Sequence, residues 1–226
     1  MIVPKKKWVF IHITKCAGTA VGKALNKQYQ CFEDQIEWNW NHDKPALFEY
    51  DYFRREPGQA PLIVYNKHAT YDMVKGFFPD WQYFTQMRHP TSRWGSIYSF
   101  LSYRGMIDSP FEEWTPRAIE AVGKQVMEEF IDASEKYNFW QNNFPTGLNL
   151  RPMMYTQRYF LPRKDPKKNI TIFRLEDKSI WKALKIPEIK QLSSPDKFKQ
   201  KIKWTPTLKN LVKDFYYEDM EVGNYA

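Results

Sequence analysis

The sequence contains only two cysteines, Cys16 and Cys31, among its 226 residues. Two cysteines cannot build a disulfide framework, and they do not provide the ligand spacing of a structural zinc site. We therefore expect a protein that works in a reducing compartment.

Long apolar stretches are missing as well. No window approaches the roughly 20 apolar residues that a transmembrane helix requires, and the first residues enter a predicted strand too early to leave room for a signal peptide. The sequence predicts no transmembrane segment, and we expect a soluble, cytoplasmic protein.

Acidic residues are fewer than basic ones, 26 against 34, which gives a formal net charge of +8. This balance favours anionic partners, among them nucleotides, acidic or sulfated glycans, nucleic acid and membrane surfaces, without choosing between them. A length of 226 residues suits a single domain that spans residues 1–226. The many aromatic residues are expected to lie mostly in the core, although such rings also stack on bases and sugars.

The stretch that organises the chain is residues 10–25, FIHITKCAGTAVGKAL. An apolar run over residues 8–13 predicts a buried strand, and the apolar spacing resumes at helical period after a short loop. A loop that leads into a helix start directs backbone N–H groups and the positive end of the helix dipole at one point. Lys15 adds a full charge there and Thr19 a hydroxyl, so the stretch predicts a phosphate or sulfate site.

Two common phosphate chemistries fit this loop poorly. A Walker A loop needs a glycine well before the lysine and a hydroxyl directly after Lys15, where Cys16 stands. Cys16 at a helix start is a candidate nucleophile, yet the phosphatase pattern CxxxxxR finds Gly22 at the arginine position. The sequence has no carboxylate cluster near the strand ends, so it does not predict a magnesium site there.

Further short apolar runs over residues 62–65 and 81–87 predict two more strands, each followed by polar residues. In open parallel sheets, ligands gather at the carboxyl ends of the strands. Arg88 follows one strand and Ser96 lies eight residues later, so the two predict a second anion site, with a structural ion pair as the alternative for Arg88. His68 follows the other strand and is the candidate general base.

The other predicted elements are mainly helical. Residues 142–168 read as a basic, loop-rich segment and residues 169–175 as a late strand, while residues 32–61 have no clear assignment. Helix starts are predicted at Thr91 or Ser92, at Thr115 followed by Pro116, and at Thr205 followed by Pro206, which opens the last helix.

Taken together, the segments FIHITKCAGTA, NKHATYDMV and RHPTSRWGSIY resemble, in this order, three landmarks of one enzyme family, and LRPMMYTQRYFL, ITIFRLEDKSIWKAL and FYYEDMEVGNY are similar to weaker landmarks of the same family. The family is the sulfotransferases that use 3′-phosphoadenosine 5′-phosphosulfate (PAPS), particularly the branch with the heparan sulfate 2-O- and 6-O-sulfotransferases and the chondroitin enzymes. The resemblance implies an α/β fold: a three-layer sandwich with a central parallel sheet, similar to the P-loop nucleotide kinases.

The resemblance also implies a role for each matching residue. Lys15 would contact the 5′-phosphosulfate and stabilise the leaving phosphate, His68 would be the general base, and Arg88 with Ser96 would hold the 3′-phosphate. Two positions depart from the family pattern, because Ala20 replaces the usual serine or threonine and His89 the usual aspartate. The residues implied to line the 5′ site are Lys15, Cys16, Ala17, Gly18, Thr19 and Ala20.

The expected activity is transfer of a sulfuryl group from PAPS to a hydroxyl, without a metal, on a carbohydrate or small-molecule acceptor. Lipid, polyphenol and peptide tyrosine acceptors stay open as alternatives, because the aromatic content suits any of them. Family enzymes of the secretory pathway usually carry a membrane anchor, so we expect a bacterial or viral cytoplasmic enzyme here. Arg54, Arg55, Arg151, Arg158 and residues 163–168 could form a basic acceptor groove or a solvated face. The alternatives are a basic, aromatic-rich nucleic-acid-binding domain and a nucleotide kinase.

Overall fold

The computed structural model describes residues 2–29, 70–76, 78–103, 105, 107–128, 151–189 and 195–225. Over these residues the chain is a mixed α/β structure with one small sheet. The predicted strand at residues 62–65, the base candidate His68 and the unassigned span 32–61 lie outside the described residues.

The sheet has four strands in the order β1-β2-β3-β4. Strands β2, β3 and β4 are parallel, with Phe10 opposite Phe84 and Phe84 opposite Thr171 in the register. Strand β1 pairs antiparallel with β2 and was not predicted, because two residues are too short for a periodic signal. The strands are β1 Ile2–Val3, β2 Trp8–Ile11, β3 Gln82–Met87 and β4 Thr171–Arg174.

Ten helices and two short 3-10 helices are described. The 3-10 helices are Pro4–Lys6 and Gln157–Phe160. The α-helices are α1 Gly18–Tyr29, α2 Tyr71–Val74, α3 Pro90–Tyr103, α4 Phe111–Glu128, α5 Arg151–Met154, α6 Pro166–Asn169, α7 Ser179–Ala183, α8 Asp196–Lys199, α9 Pro206–Phe215 and α10 Tyr217–Val222.

Apolar side chains cover both faces of the sheet, as its continuous apolar strands predict. On one face Phe10 and Phe84 pack against Val21 and Leu25 of α1 and Ile180 of α7. On the opposite face, Ile11 of β2 and Tyr83 and Met87 of β3 cluster with Phe160 and Leu161. A further cluster joins α3, α4 and α9 through residues such as Trp94, Trp114 and Val212.

Helix α1 confirms the predicted helix after the Lys15 loop, and β2, β3 and β4 confirm three of the predicted strands. Thr205 is the N-cap of α9, where its hydroxyl accepts from the Leu208 N–H at 3.2 Å. Helix α9 is not the last helix, however, because α10 follows it.

Two helix starts were predicted wrongly. Helix α3 begins at Pro90, one residue before the expected cap, because Nδ1 of His89 accepts from the Thr91 N–H at 3.3 Å. Helix α4 begins at Phe111 rather than at Thr115, because Phe111 and Trp114 pack in the core and hold the earlier turn in place. The segment predicted as a loop over residues 142–168 contains α5, a 3-10 helix and the start of α6, within its described part.

Candidate functional site

The two predicted anion-binding elements lie next to each other. Strands β2 and β3 are adjacent and parallel, so the loop after Ile11 and the turn after Met87 leave the sheet at the same edge. Nη1 of Arg88 lies 3.5 Å from the carbonyl oxygen of Lys15, at the long end of hydrogen-bonding distance. The topology therefore brings a lysine and an arginine to one place.

The backbone of the loop after β2 has an unusual shape. Lys15 and Ala17 both have a φ of 61°, while Cys16 between them has a negative φ. Alternation of this kind is typical of backbone concavities in which successive N–H groups converge on an anion. Helix α1 starts directly afterwards at Gly18, which adds the positive end of its dipole.

Gly18 is required by a close approach rather than by its own φ. A Cβ atom at this position would lie 1.9 Å from Cδ2 of His12, so no other residue fits without moving the histidine ring. His12 is itself buried, at 6% exposure. The contact places the first turn of α1 directly against the end of the sheet.

Cys16 does not fit the role of a nucleophile. Its side chain is 1% exposed, and burial raises the pKa of the thiol to about 12. The Sγ atom donates to Oε1 of Gln157 at 3.1 Å, which is a bond that the thiolate could not make. Within the loop, the Cys16 side chain therefore anchors the backbone to the protein interior.

Lys15 is a partly buried cation. Burial, and secondly the neighbouring Arg88 guanidinium, lower the pKa of its ammonium group to about 8. Its Nζ lies 4.3 Å from the centre of the Phe100 ring, a cation–π contact with α3. A cation that is destabilised by burial and by a like charge gains most when an anion arrives.

Arg88 is held through its backbone. Its N–H donates to Oε1 of Gln157 at 2.8 Å, and its carbonyl oxygen accepts from Nε2 of the same amide at 2.8 Å. The guanidinium does not take part in these bonds and lies beside the Lys15 loop. Burial lowers the pKa of this guanidinium. Ser96, the predicted partner of Arg88, is partly buried in α3, and the described contacts include no hydrogen bond between the two.

The remaining loop residues divide into exposed and buried ones. The side chain of Thr19 faces solvent, whereas Ala17 and Ala20 are 5% and 4% exposed. A hydroxyl at position 20 would therefore lie in an apolar layer unless it turned towards the loop. The exposed Thr19 is the only hydroxyl that residues 15–20 offer.

Sequence reasoning missed Arg93, which is 1% exposed. Its Nε donates to the Thr14 carbonyl oxygen at 3.1 Å, and its Nη2 donates to Thr14 Oγ1 at 3.1 Å and to the Met153 carbonyl oxygen at 2.9 Å. Arg93 therefore supports the loop from the inside, whereas Arg88 meets it from the edge. Its place in RHPTSRWGSIY was visible, but its three acceptors were not.

The acidic residue Asp219 was missed as well. It is fully buried in α10 and accepts from the backbone N–H groups of Gln157 at 2.8 Å and Arg158 at 2.7 Å. Burial raises the pKa of this carboxyl, while Arg93 and the backbone donors oppose the rise. A single acidic residue near the end of the chain gave no signal of this role.

Other side chains proposed for the site have local roles or lie elsewhere. The Arg158 guanidinium donates to the carbonyl oxygens of Pro162 and Arg163, so it stabilises its own turn. Arg163 and residues 164, 167 and 168 are exposed, while Arg54 and Arg55 lie outside the described residues. Lys167 and Lys168 line an open cavity together with Glu221 and Val222. The acceptor groove stays a prediction.

Within the described ranges, no group of three or more His, Cys, Asp or Glu side chains is placed to hold a metal ion. None of the helices described is long and apolar enough to cross a membrane. Comparisons with family models, with curated proteins and with solved structures find no match for this chain.

Proposed function

We propose that this protein is a sulfotransferase that moves a sulfuryl group from PAPS to a hydroxyl of a carbohydrate or small-molecule acceptor. The fold that goes with this proposal is the three-layer, P-loop-like α/β sandwich, of which the parallel strands and α1 would be the nucleotide-binding part. The ordered motifs around Lys15, His68 and Arg88 are the sequence basis of the proposal.

One observation supports it most. The loop with Lys15 and the turn with Arg88 leave neighbouring parallel strands and touch at 3.5 Å, although 73 residues separate them in the chain. Two cationic side chains, a loop with positive φ at two residues and a helix start suit a ligand with more than one anionic group. A bisphosphate nucleotide is such a ligand.

The state of Cys16 separates this proposal from a cysteine-based phosphatase. The thiol is buried, bonded to Gln157, and its pKa is raised to about 12, so the thiolate is scarce at neutral pH. The charge at the loop belongs to Lys15 instead, which suits electrostatic stabilisation rather than covalent catalysis.

The chemistry assigns a distinct task to each group. The acceptor oxygen attacks sulfur in line, a new S–O bond forms, and the bond between sulfur and the bridging phosphate oxygen breaks. His68 takes the proton of the acceptor hydroxyl, and Lys15 faces the negative charge that develops on the leaving phosphate. Arg88 binds the second phosphate and fixes the orientation of the nucleotide.

Calorimetry with 3′-phosphoadenosine 5′-phosphate (PAP) tests the proposal. We expect one-to-one binding, a strong loss of affinity in Lys15→Ala and Arg88→Ala, and normal binding but lost turnover in His68→Ala. Lys23→Ala is the matched control, because it removes the same charge from an exposed position on α1. Its affinity should stay close to that of the unchanged protein.

The same measurement distinguishes the alternatives. Magnesium-dependent binding of ATP in place of PAP would indicate a nucleotide kinase. Salt-dependent binding to oligonucleotides, with no preference for PAP, would indicate a nucleic-acid-binding domain. Either result, or no binding of PAP at all, would overturn the sulfotransferase proposal.

A further inference from the structure

A buried amide connects the two halves of the candidate site. The side chain of Gln157 is 0% exposed and lies between Cys16 of the loop and Arg88 of the turn. It accepts from the Cys16 thiol and the Arg88 N–H through Oε1, and donates to the Arg88 carbonyl oxygen through Nε2. One side chain therefore sets the spacing between two segments that are far apart in sequence.

Asp219 determines which way this amide faces. Its Oδ2 accepts from the Gln157 N–H at 2.8 Å and lies 3.3 Å from Nε2 of the same residue. A carboxylate cannot donate, so the NH₂ group must face Asp219 and the amide oxygen must face the two donors. In the reversed orientation, the amide oxygen would face the Asp219 carboxylate and the NH₂ group would face the Arg88 N–H, so that acceptor would meet acceptor and donor would meet donor.

We propose that Gln157 is a positioning residue, oriented by Asp219, that holds the Lys15 loop and Arg88 at the spacing needed to bind both anionic groups of one ligand. Neither side chain needs to touch the ligand, because both act through the backbone of Arg88 and through Cys16. The inference rests on the proposed function for the identity of that ligand, PAP, but not for the spacing itself.

The spacing predicts a specific pattern of affinities. A correctly spaced site gains from the 3′-phosphate and the 5′-phosphate together, so PAP should bind much more tightly than adenosine 5′-monophosphate (AMP). A site whose halves have moved apart loses this simultaneous fit, so the affinity advantage of PAP over AMP falls. A general loss of structure would weaken both nucleotides and leave their ratio unchanged.

The test measures the PAP-to-AMP affinity ratio in Gln157→Met, which keeps the length of the side chain and removes its polar atoms. Gln86→Met is the matched control: Gln86 is 1% exposed, lies two residues before Arg88 in β3, and its amide has no hydrogen-bond partner in the part of the chain that the structure describes. We expect the ratio to fall at least tenfold in Gln157→Met and to hold in Gln86→Met. An unchanged ratio in folded Gln157→Met overturns the inference.

Two further variants keep the test decisive. If Gln157→Met does not fold, Asp219→Asn replaces it, since an amide at position 219 no longer fixes the orientation of Gln157; an unchanged ratio there overturns the inference as well. Gln157→Glu retains the acceptor oxygen and, when protonated, a donor, so it should restore part of the ratio lost in Gln157→Met.

A readout without nucleotide separates this inference from the proposed function. Labelling of the Cys16 thiol and hydrogen exchange at the Arg88 N–H should both be faster in Gln157→Met than in Gln86→Met. If the unchanged protein binds no PAP, the proposed function fails while these rates still decide the positioning role. Equal rates of Cys16 labelling and of Arg88 N–H exchange in the two variants overturn the positioning role, whether or not PAP binds.

Discussion

The two halves of the candidate site are shaped by different means. The loop after β2 has a distinctive backbone, with positive φ at Lys15 and Ala17 and a glycine against His12, to which Arg93 adds side-chain support. The turn after β3 is held by side chains from elsewhere, with Gln157 on Arg88 and Glu176 on the His89 N–H at 2.9 Å. The backbone conformation of the loop can be predicted from residues that are adjacent in sequence. The contacts that hold the turn come from residues distant in sequence, so they cannot.

The backbone-shaped half should be the more sensitive to a single methyl group. We expect Gly18→Ala to lower the free energy of unfolding by about 3 kcal/mol, because the new Cβ would overlap the His12 ring. Urea unfolding measures the loss, and Gly76→Ala is the control, since nothing lies within 4 Å of a Cβ at that position.

The cause of this loss is tested by removing the ring. In a His12→Ala background, Gly18→Ala should cost clearly less than it does alone, because the clash has gone. Equal costs in the two backgrounds would show that the close approach to His12 is not what makes position 18 sensitive.

Arg93 connects the loop to the segment before Gln157, so its loss should destabilise the loop as well. We expect Arg93→Met to cost about 2 kcal/mol, because Thr14 and Met153 lose three hydrogen bonds from a buried guanidinium. Arg117→Met, on an exposed position of α4, should change the free energy of unfolding by less than about 0.5 kcal/mol. Similar losses in both variants would contradict a special role for Arg93.

The smallest effect is expected at His89, which precedes α3. Its Nδ1 accepts from the Thr91 N–H, so His89→Ala should cost about 0.5–1 kcal/mol, and His89→Asp should restore part of this because a carboxylate accepts the same bond. Denaturant unfolding at neutral pH measures both variants. A loss in His89→Asp as large as that in His89→Ala would contradict the capping role.

His89 also predicts a pH dependence. Burial lowers the pKa of its ring below the ordinary value of 6.5, so just below pH 6.5 the unfolded state binds more protons than the folded state. The free energy of unfolding should therefore fall as the pH drops through this range, and the fall should be smaller in His89→Ala. Parallel pH profiles for the two proteins would rule out this contribution.

The parts that were predictable from the sequence are those with a local signal. The strand, loop and helix around Lys15 follow from apolar spacing and from a glycine, and the end of β3 at Arg88 follows from a change to polar residues. The start of α4 was wrong because Thr115 and Pro116 look like a cap, while Phe111 and Trp114 add a turn by packing in the core. Tertiary contacts overrode a local preference there.

The missed site residues share one property, which is that their partners are distant in sequence. Gln157 bonds to residues 141 and 69 positions earlier, and Asp219 to residues 62 and 61 positions earlier. Both residues lie in segments that resemble weaker landmarks of the family. A glutamine or an aspartate in isolation is most often a surface residue, however, so the residue types alone predict neither the burial nor the partners of these two. The sequence therefore predicts the location of the candidate anion site, but not the contacts that fix the distance between the Lys15 loop and the Arg88 turn.

The long sequence separations around Gln157 have a kinetic consequence. Contacts between residues 16, 88, 157 and 219 close large loops of chain, and such contacts carry a high entropic cost and form late in folding. We therefore expect the candidate anion site to form only when most of the chain has folded, so that a nucleotide that fits it binds the native state and not the unfolded state. Its binding would draw the folding equilibrium towards the native state in proportion to its concentration.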